Sequence, residues 1–138
     1  MTRLENGNWE LVLDEFNNDI KRRMVEEKFI MIPRQSSERI PELLCACDAA
    51  FLSFQNDPLW KKTIPAKLQS YTACGMPIIA VAEGETERII NESGCGIYCK
   101  IGDANRLSEI IVEMLSADLS AMRKIAENIL RRILTKKC

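Results

Sequence analysis

This chain has 138 residues and not one histidine, so any chemistry must come from carboxylates, amines, hydroxyls, thiols or backbone amides. Imidazole general bases and Ser-His-Asp triads are excluded with it. The six cysteines (Cys45, Cys47, Cys74, Cys95, Cys99 and Cys138) contain no CxxC, and without histidine no mixed Cys/His zinc site forms. They are expected to be reduced structural thiols, behaving as small apolar residues. The sequence offers no metal site and no catalytic acid or base, and it implies no cofactor. The groups with binding potential are cationic and amidic. Lys67 stands in the first turn of a helix whose leading N–H groups, those of Ala66 and Lys67, carry the positive end of the dipole, which suits a phosphate.

That helix lies in TIPAKLQSYTACGMPIIAV, Thr63 to Val81, where both of its ends are marked. Thr63 is expected to cap the first turn, and Pro65 to sit where a missing N–H costs nothing. Gly75 suits a left-handed closing position, and Pro77 stops the helix from continuing. IIAV then has the continuous apolar character of a parallel strand covered on both faces.

The remaining elements follow from hydrophobic pattern and punctuation. WELVL (Trp9–Leu13) is expected to be a strand, and Asp14–Glu27 a polar helix. FIMIP (Phe29–Pro33) is expected to be a second strand, followed by a helix capped by Ser36 or Ser37 and running to about Cys47. AAFLSF (Ala49–Phe54) makes a third strand. After IIAV, Gly84 opens the helix GETERIINES, which Gly94 closes, and GIYCK (Gly96–Lys100) is a fifth strand. Asp103 caps a helix through about Leu115, and a last helix spans about Leu119–Leu134. Strands alternating with helices at this spacing predict an α/β fold: a Rossmann-like, doubly wound parallel sheet in three α/β/α layers.

Such sheets bind ligands beyond the carboxyl ends of their strands. The segments placed there are Pro33–Ser37, Phe54–Ala66 and Ala82–Glu87, with one arginine, two lysines, a helix N-terminus and a Gly-Glu turn. An anionic ligand such as a nucleotide diphosphate fits that inventory, and so does a set of merely solvated loops. Glu85 can accept hydrogen bonds from a ligand or stabilise its own helix dipole. Tyr71 is expected in the core. Trp60 either lines a ligand pocket or faces another domain.

Apolar residues make up 46% and charged residues 28%, with a formal net charge of −1. This balance exerts no general pull on nucleic acid. No apolar run approaches the roughly 20 residues that span a bilayer, and MTRLENGNWE lacks a signal peptide's apolar core. A soluble cytoplasmic protein is expected. The last helix carries an apolar stripe at Leu119, Met122, Ile125, Ile129 and Ile133 and a basic end at Arg131, Arg132, Lys136 and Lys137. The stripe is expected to pack on the domain; peripheral contact with an anionic membrane at the inner face is the weaker reading.

The run PAKLQSYTACGMPIIAVAEGETERIINESGCGIYCKIGD, with PRQSSERIPELLCACDAAFLSF upstream, resembles the nucleotide-sugar-binding half of the group 1 (family 4) retaining glycosyltransferases. More narrowly it is similar to bacterial O-antigen and capsular polysaccharide aminosugar transferases. The resemblance covers about Trp9 to Leu130 and implies the GT-B fold, with two Rossmann-like halves. On it, residues 1–138 form a single donor-binding domain that lacks a first strand and the N-terminal acceptor domain. It implies a nucleoside-diphosphate sugar as donor and a lipid-linked or saccharide acceptor, with no nucleic acid.

By the same resemblance, Arg34 lies in the loop that holds the nucleobase. The N–H groups of Ala66 and Lys67 face the donor phosphate. Ser70 stands where many relatives place a glutamate on the ribose, and Lys62 where they place a second one near the sugar. Neither glutamate is present, and Ser70 hydrogen-bonds a ribose more weakly than a carboxylate does. The competing class is a non-catalytic flavodoxin-like or regulatory nucleotide-binding module. A receiver finds half its acidic cluster in Asp14 and Glu15, but the third strand ends in Ser53-Phe54 with no acceptor aspartate.

Overall fold

The computed structural model describes residues 9–136, and side chains for 13–129 and 131. Expectations for Cys138, Lys137 and the first eight residues, and for the side chains of Arg132, Ile133 and Lys136, fall outside these limits. The chain divides into two units, residues 1–35 and 36–138.

In the first unit, helix α1 spans Trp9–Arg22, and a 3-10 turn follows at Glu26–Lys28. The expected strand at Trp9–Leu13 is therefore helical. Trp9, Leu13, Phe16 and Ile20 recur at i, i+4, i+7 and i+11, one face of a helix that runs straight through WELVL. Ile20 is buried, and the Phe16 ring meets Phe29 edge-on at 5.6 Å and 88°. Phe29–Pro33 is not a strand either. Its residues form no ladder with any described strand, and Ile30 is 88% exposed.

The second unit is the α/β body. Helix α2 is Ile40–Cys45, and a three-residue turn precedes it. No serine caps it, because Arg39 holds the N-cap position and makes no side-chain cap bond. Then come β1 (Ala50–Ser53), α3 (Pro58–Lys61), α4 (Ala66–Ala73), β2 (Ile78–Val81), α5 (Glu85–Ser93), β3 (Gly96–Cys99), α6 (Ala104–Ser116) and α7 (Ser120–Lys136). The three strands are parallel in the order β1-β2-β3, with Ala50 beside Ile78 and Ile78 beside Gly96.

Side-chain alternation along the strands divides the core in two. On one face Leu52, Ile78, Ala80 and Tyr98 pack with Leu68 of α4, Ile89 and Ile90 of α5, and Ala126 and Ile129 of α7. On the other, Ile79, Val81, Ile97 and Cys99 pack with Leu107, Ile110 and Met114 of α6 and with Leu119 and Met122. Helices thus cover both faces, as a doubly wound Rossmann-like fold requires. Tyr71 joins the first cluster, as expected, and the described stripe residues Leu119, Met122, Ile125 and Ile129 pack into the two clusters. Burying each large apolar side chain contributes about 1.5–3 kcal/mol, which makes these faces the main source of stability.

The described cysteines are free thiols. Cys95 and Cys99 are buried, and burial pushes both thiols up from the usual range. Cys45 and Cys47 depart from the small-apolar expectation, since both are exposed at the end of α2.

Candidate functional site

Because the strands are parallel, every segment leaving a strand end emerges on one side of the sheet. The β1–α4 connection, Phe54–Pro65, and the β2–α5 connection, Ala82–Gly84, therefore share that side. The first contains a helix that the sequence reading missed. Asp57 caps α3, accepting from the Leu59 N–H at 2.8 Å, with Pro58 at the first helical position. Asp followed by Pro was the available signal for it. Trp60, in α3, stacks on Phe54 at 5.9 Å and 24° and remains 36% exposed.

Thr63 does not cap α4. Its hydroxyl donates to the Leu59 carbonyl at 2.8 Å, closing α3 instead, and Pro65 takes the N-cap position. Proline has no side chain able to accept a hydrogen bond, so the first turn of α4 is left without a side-chain cap. Leu68 N–H is satisfied by the Pro65 carbonyl at 3.1 Å, and the groups ahead of it, at Ala66 and Lys67, lead the helix. Lys67 and Ser70 are exposed on α4, while Leu68 and Thr72 anchor its inner face. The Ser70 hydroxyl donates to its own helix, at the Ala66 carbonyl, 3.2 Å away. Gly75 closes α4 with φ +64, the left-handed conformation expected of it.

The Gly-Glu turn is organised by its own carboxylates. Glu87 accepts from the Gly84 N–H at 3.3 Å, which completes the first turn of α5. The Glu85 carboxylate is gripped by Arg88, whose Nε donates at 3.0 Å. This hydrogen bond holds the Glu85 carboxyl below the usual range, with burial opposing it and the Arg88 charge adding to it. Arg88 in turn is raised by Glu85 and by Glu92, 2.6 Å away. Lys61 pairs with Glu83 at 3.1 Å.

Of the residues singled out by sequence, Ala66, Lys67 and Ser70 share one helix, and Glu85 opens the next on the same side of the sheet. Arg34 belongs to the first unit, where it is exposed. A cavity of about 510 Å³ runs along β3, and none of these five residues lines it. Three charged residues line it: Asp103 accepts from the Arg106 N–H, Arg106 pairs with Glu109 and Glu113, and Lys100 is the third.

The arrangement is a helix N-terminus without a side-chain cap, beside exposed amines, at the ligand-binding end of a parallel sheet. The sequence profile of the family described as "Glycosyl transferases group 1" matches residues 10–132. The chain belongs to the group 1 glycosyltransferases. It is also similar to a Pseudomonas aeruginosa protein named "Probable glycosyltransferase WbjE", with 32% identity over 91 residues. That alignment covers 64% of this chain and 22% of the relative, so the chain matches about a fifth of the relative's length. No solved structure matches. Among the described residues, no helix is long and apolar enough to cross a membrane.

Proposed function

We propose that this chain is the donor-binding domain of a glycosyltransferase, holding a nucleoside-diphosphate sugar for transfer in cell-surface polysaccharide synthesis. The observation that carries the reading is the start of α4, with no side-chain cap and Lys67 in its first turn, inside the stretch that matches the family. The N–H groups of Ala66 and Lys67 supply partial positive charge to the diphosphate, and Lys67 adds a full charge. As the sugar leaves, charge builds on the diphosphate, so these fixed donors favour the transition state. Ser70, one turn further on, offers a hydroxyl to the ribose, Glu85 an acceptor to the sugar, and Arg34 a planar cation to the base.

None of these residues acts as a catalytic acid or base. A lipid-linked or saccharide acceptor is assigned to an N-terminal half of the GT-B fold, at the cytoplasmic face of a membrane. The isolated chain therefore binds donor weakly and turns over no substrate; measurable sugar transfer by it refutes that assignment. Titration with uridine diphosphate, followed by amide NMR, tests the binding. Shifts at Arg34, Ala66–Ser70 and Glu85 are expected. None at millimolar ligand overturns the donor reading and leaves a non-catalytic α/β module.

A further inference from the structure

Three carboxylates, Glu83, Glu85 and Glu87, crowd the turn beside the proposed diphosphate site, where unpaired negative charge opposes an anion. Each is engaged: Glu83 with Lys61, Glu85 with Arg88, and Glu87 with the Gly84 N–H. The Lys61 contact differs from the other two because it crosses from one loop to another. It is reinforced by the backbone. A β-carbon at Gly84 would lie 2.2 Å from the Lys61 carbonyl oxygen and 2.8 Å from its Cα, so the two segments touch main chain to main chain. Gly84 also has φ +82 and ψ −130, a conformation open almost only to glycine.

We infer that Lys61, Glu83 and Gly84 form a strut that locks the two strand-end loops together and positions the start of α4 for its ligand. Both ends of the strut are stiff. Asp57 and the Thr63 hydroxyl close α3 from either side, and Glu87 closes the turn at Gly84. Lys61 stands five residues before Ala66, so its position governs how the chain enters α4. Lys61 and Glu83 are positioning residues, and Lys61 is occupied by Glu83 rather than held out for the diphosphate. This inference rests on the donor reading of α4.

Charge reversal tests it. Lys61→Glu and Glu83→Lys are made singly and together, and each protein is measured by amide hydrogen exchange without ligand and by uridine diphosphate titration. Each single variant is expected to lose several-fold protection at Gly84–Arg88 and to bind uridine diphosphate about two- to fivefold more weakly, the range of an exposed ion pair. The double variant restores both to within about twofold. A lysine that touched the diphosphate directly would not be replaced by one at position 83, so a double variant that fails to recover binding overturns the positioning role. Unchanged exchange in the single variants overturns the strut itself. If wild-type protein shows no uridine diphosphate shifts, the donor reading and the positioning role fall together, while the ligand-free exchange still judges the strut. Gly84→Ala, expected to weaken binding tenfold or more, gives a second measurement through the backbone contact.

Discussion

Replacing Thr86 by valine should make this protein more stable. Thr86 is the second residue of α5 and fully buried, and its hydroxyl oxygen has no hydrogen-bond partner among the described residues. A buried polar group left unsatisfied costs about 1–3 kcal/mol, and valine removes the group while keeping the branched shape. Helix propensity is nearly the same for the two residues, and both are stiff at χ1. The expected gain is therefore about 1–2 kcal/mol, with a rise in Tm of roughly 3–5 °C per kcal/mol for a chain of this length. Urea unfolding should show a higher midpoint at unchanged slope, since the surface exposed on unfolding is the same. Thr86→Ser is the control: it keeps the stranded hydroxyl and opens a methyl-sized void, so it should lose about 1 kcal/mol. A Thr86→Val protein that is neutral or less stable would show that the hydroxyl is satisfied in solution, and would refute the reasoning.

The Glu85–Arg88 pair predicts a pH response. Because the folded carboxyl titrates below its unfolded counterpart, its stabilisation is present above the unfolded midpoint and is lost as pH falls through the folded one. Carboxyl NMR should place Glu85 at the low end of the glutamates, and Arg88→Ala should move it upward. Thiol labelling should divide the cysteines: exposed Cys45 and Cys47 react promptly, whereas Cys95 and Cys99 react only as fast as the fold opens. Prompt labelling of Cys99 would contradict the packing of the α6 face. Leu68→Ala removes a fully buried side chain from the larger core cluster and should cost about 2–5 kcal/mol by chemical denaturation. A loss under 1 kcal/mol would mean that α4 is not anchored there.

The legible parts of the fold are those whose signals are local. IIAV is a strand because its apolar run is continuous, and Asp103 starts α6 because its side chain accepts from Arg106 three residues on. The Gly84 turn announced itself through glycine followed by glutamates. WELVL was ambiguous, since five residues of which four are apolar fit a strand or a helical stripe equally well, and the decision rests on Phe16 and Ile20 beyond it. FIMIP has strand composition, but a strand exists only with a neighbour to bond, and residue composition does not supply one. Thr63 had the right chemistry at the wrong distance, and its hydroxyl serves the Leu59 carbonyl instead. At the candidate site, the leading turn of α4 could be read from Pro65 and Lys67. The grip of Arg88 on Glu85 is an i,i+3 pair, readable in principle. The meeting of Lys61 with Gly84 could not be read, because α4 and β2 lie between them in sequence and only the folded sheet brings them together.

The seating of α7 on α4 has a consequence for how the molecule is assembled. Adjacent strands here are also consecutive in sequence, so β1, β2 and β3 can be laid down in the order of synthesis. Leu68 and Tyr71 nevertheless wait for Ala126 and Ile129, which emerge only after all three strands. Until then a growing chain can hold its sheet hydrogen bonds while one apolar face of α4 stays wet. Such an intermediate has secondary structure without finished packing, and it is the form on which a chaperone or a protease would act.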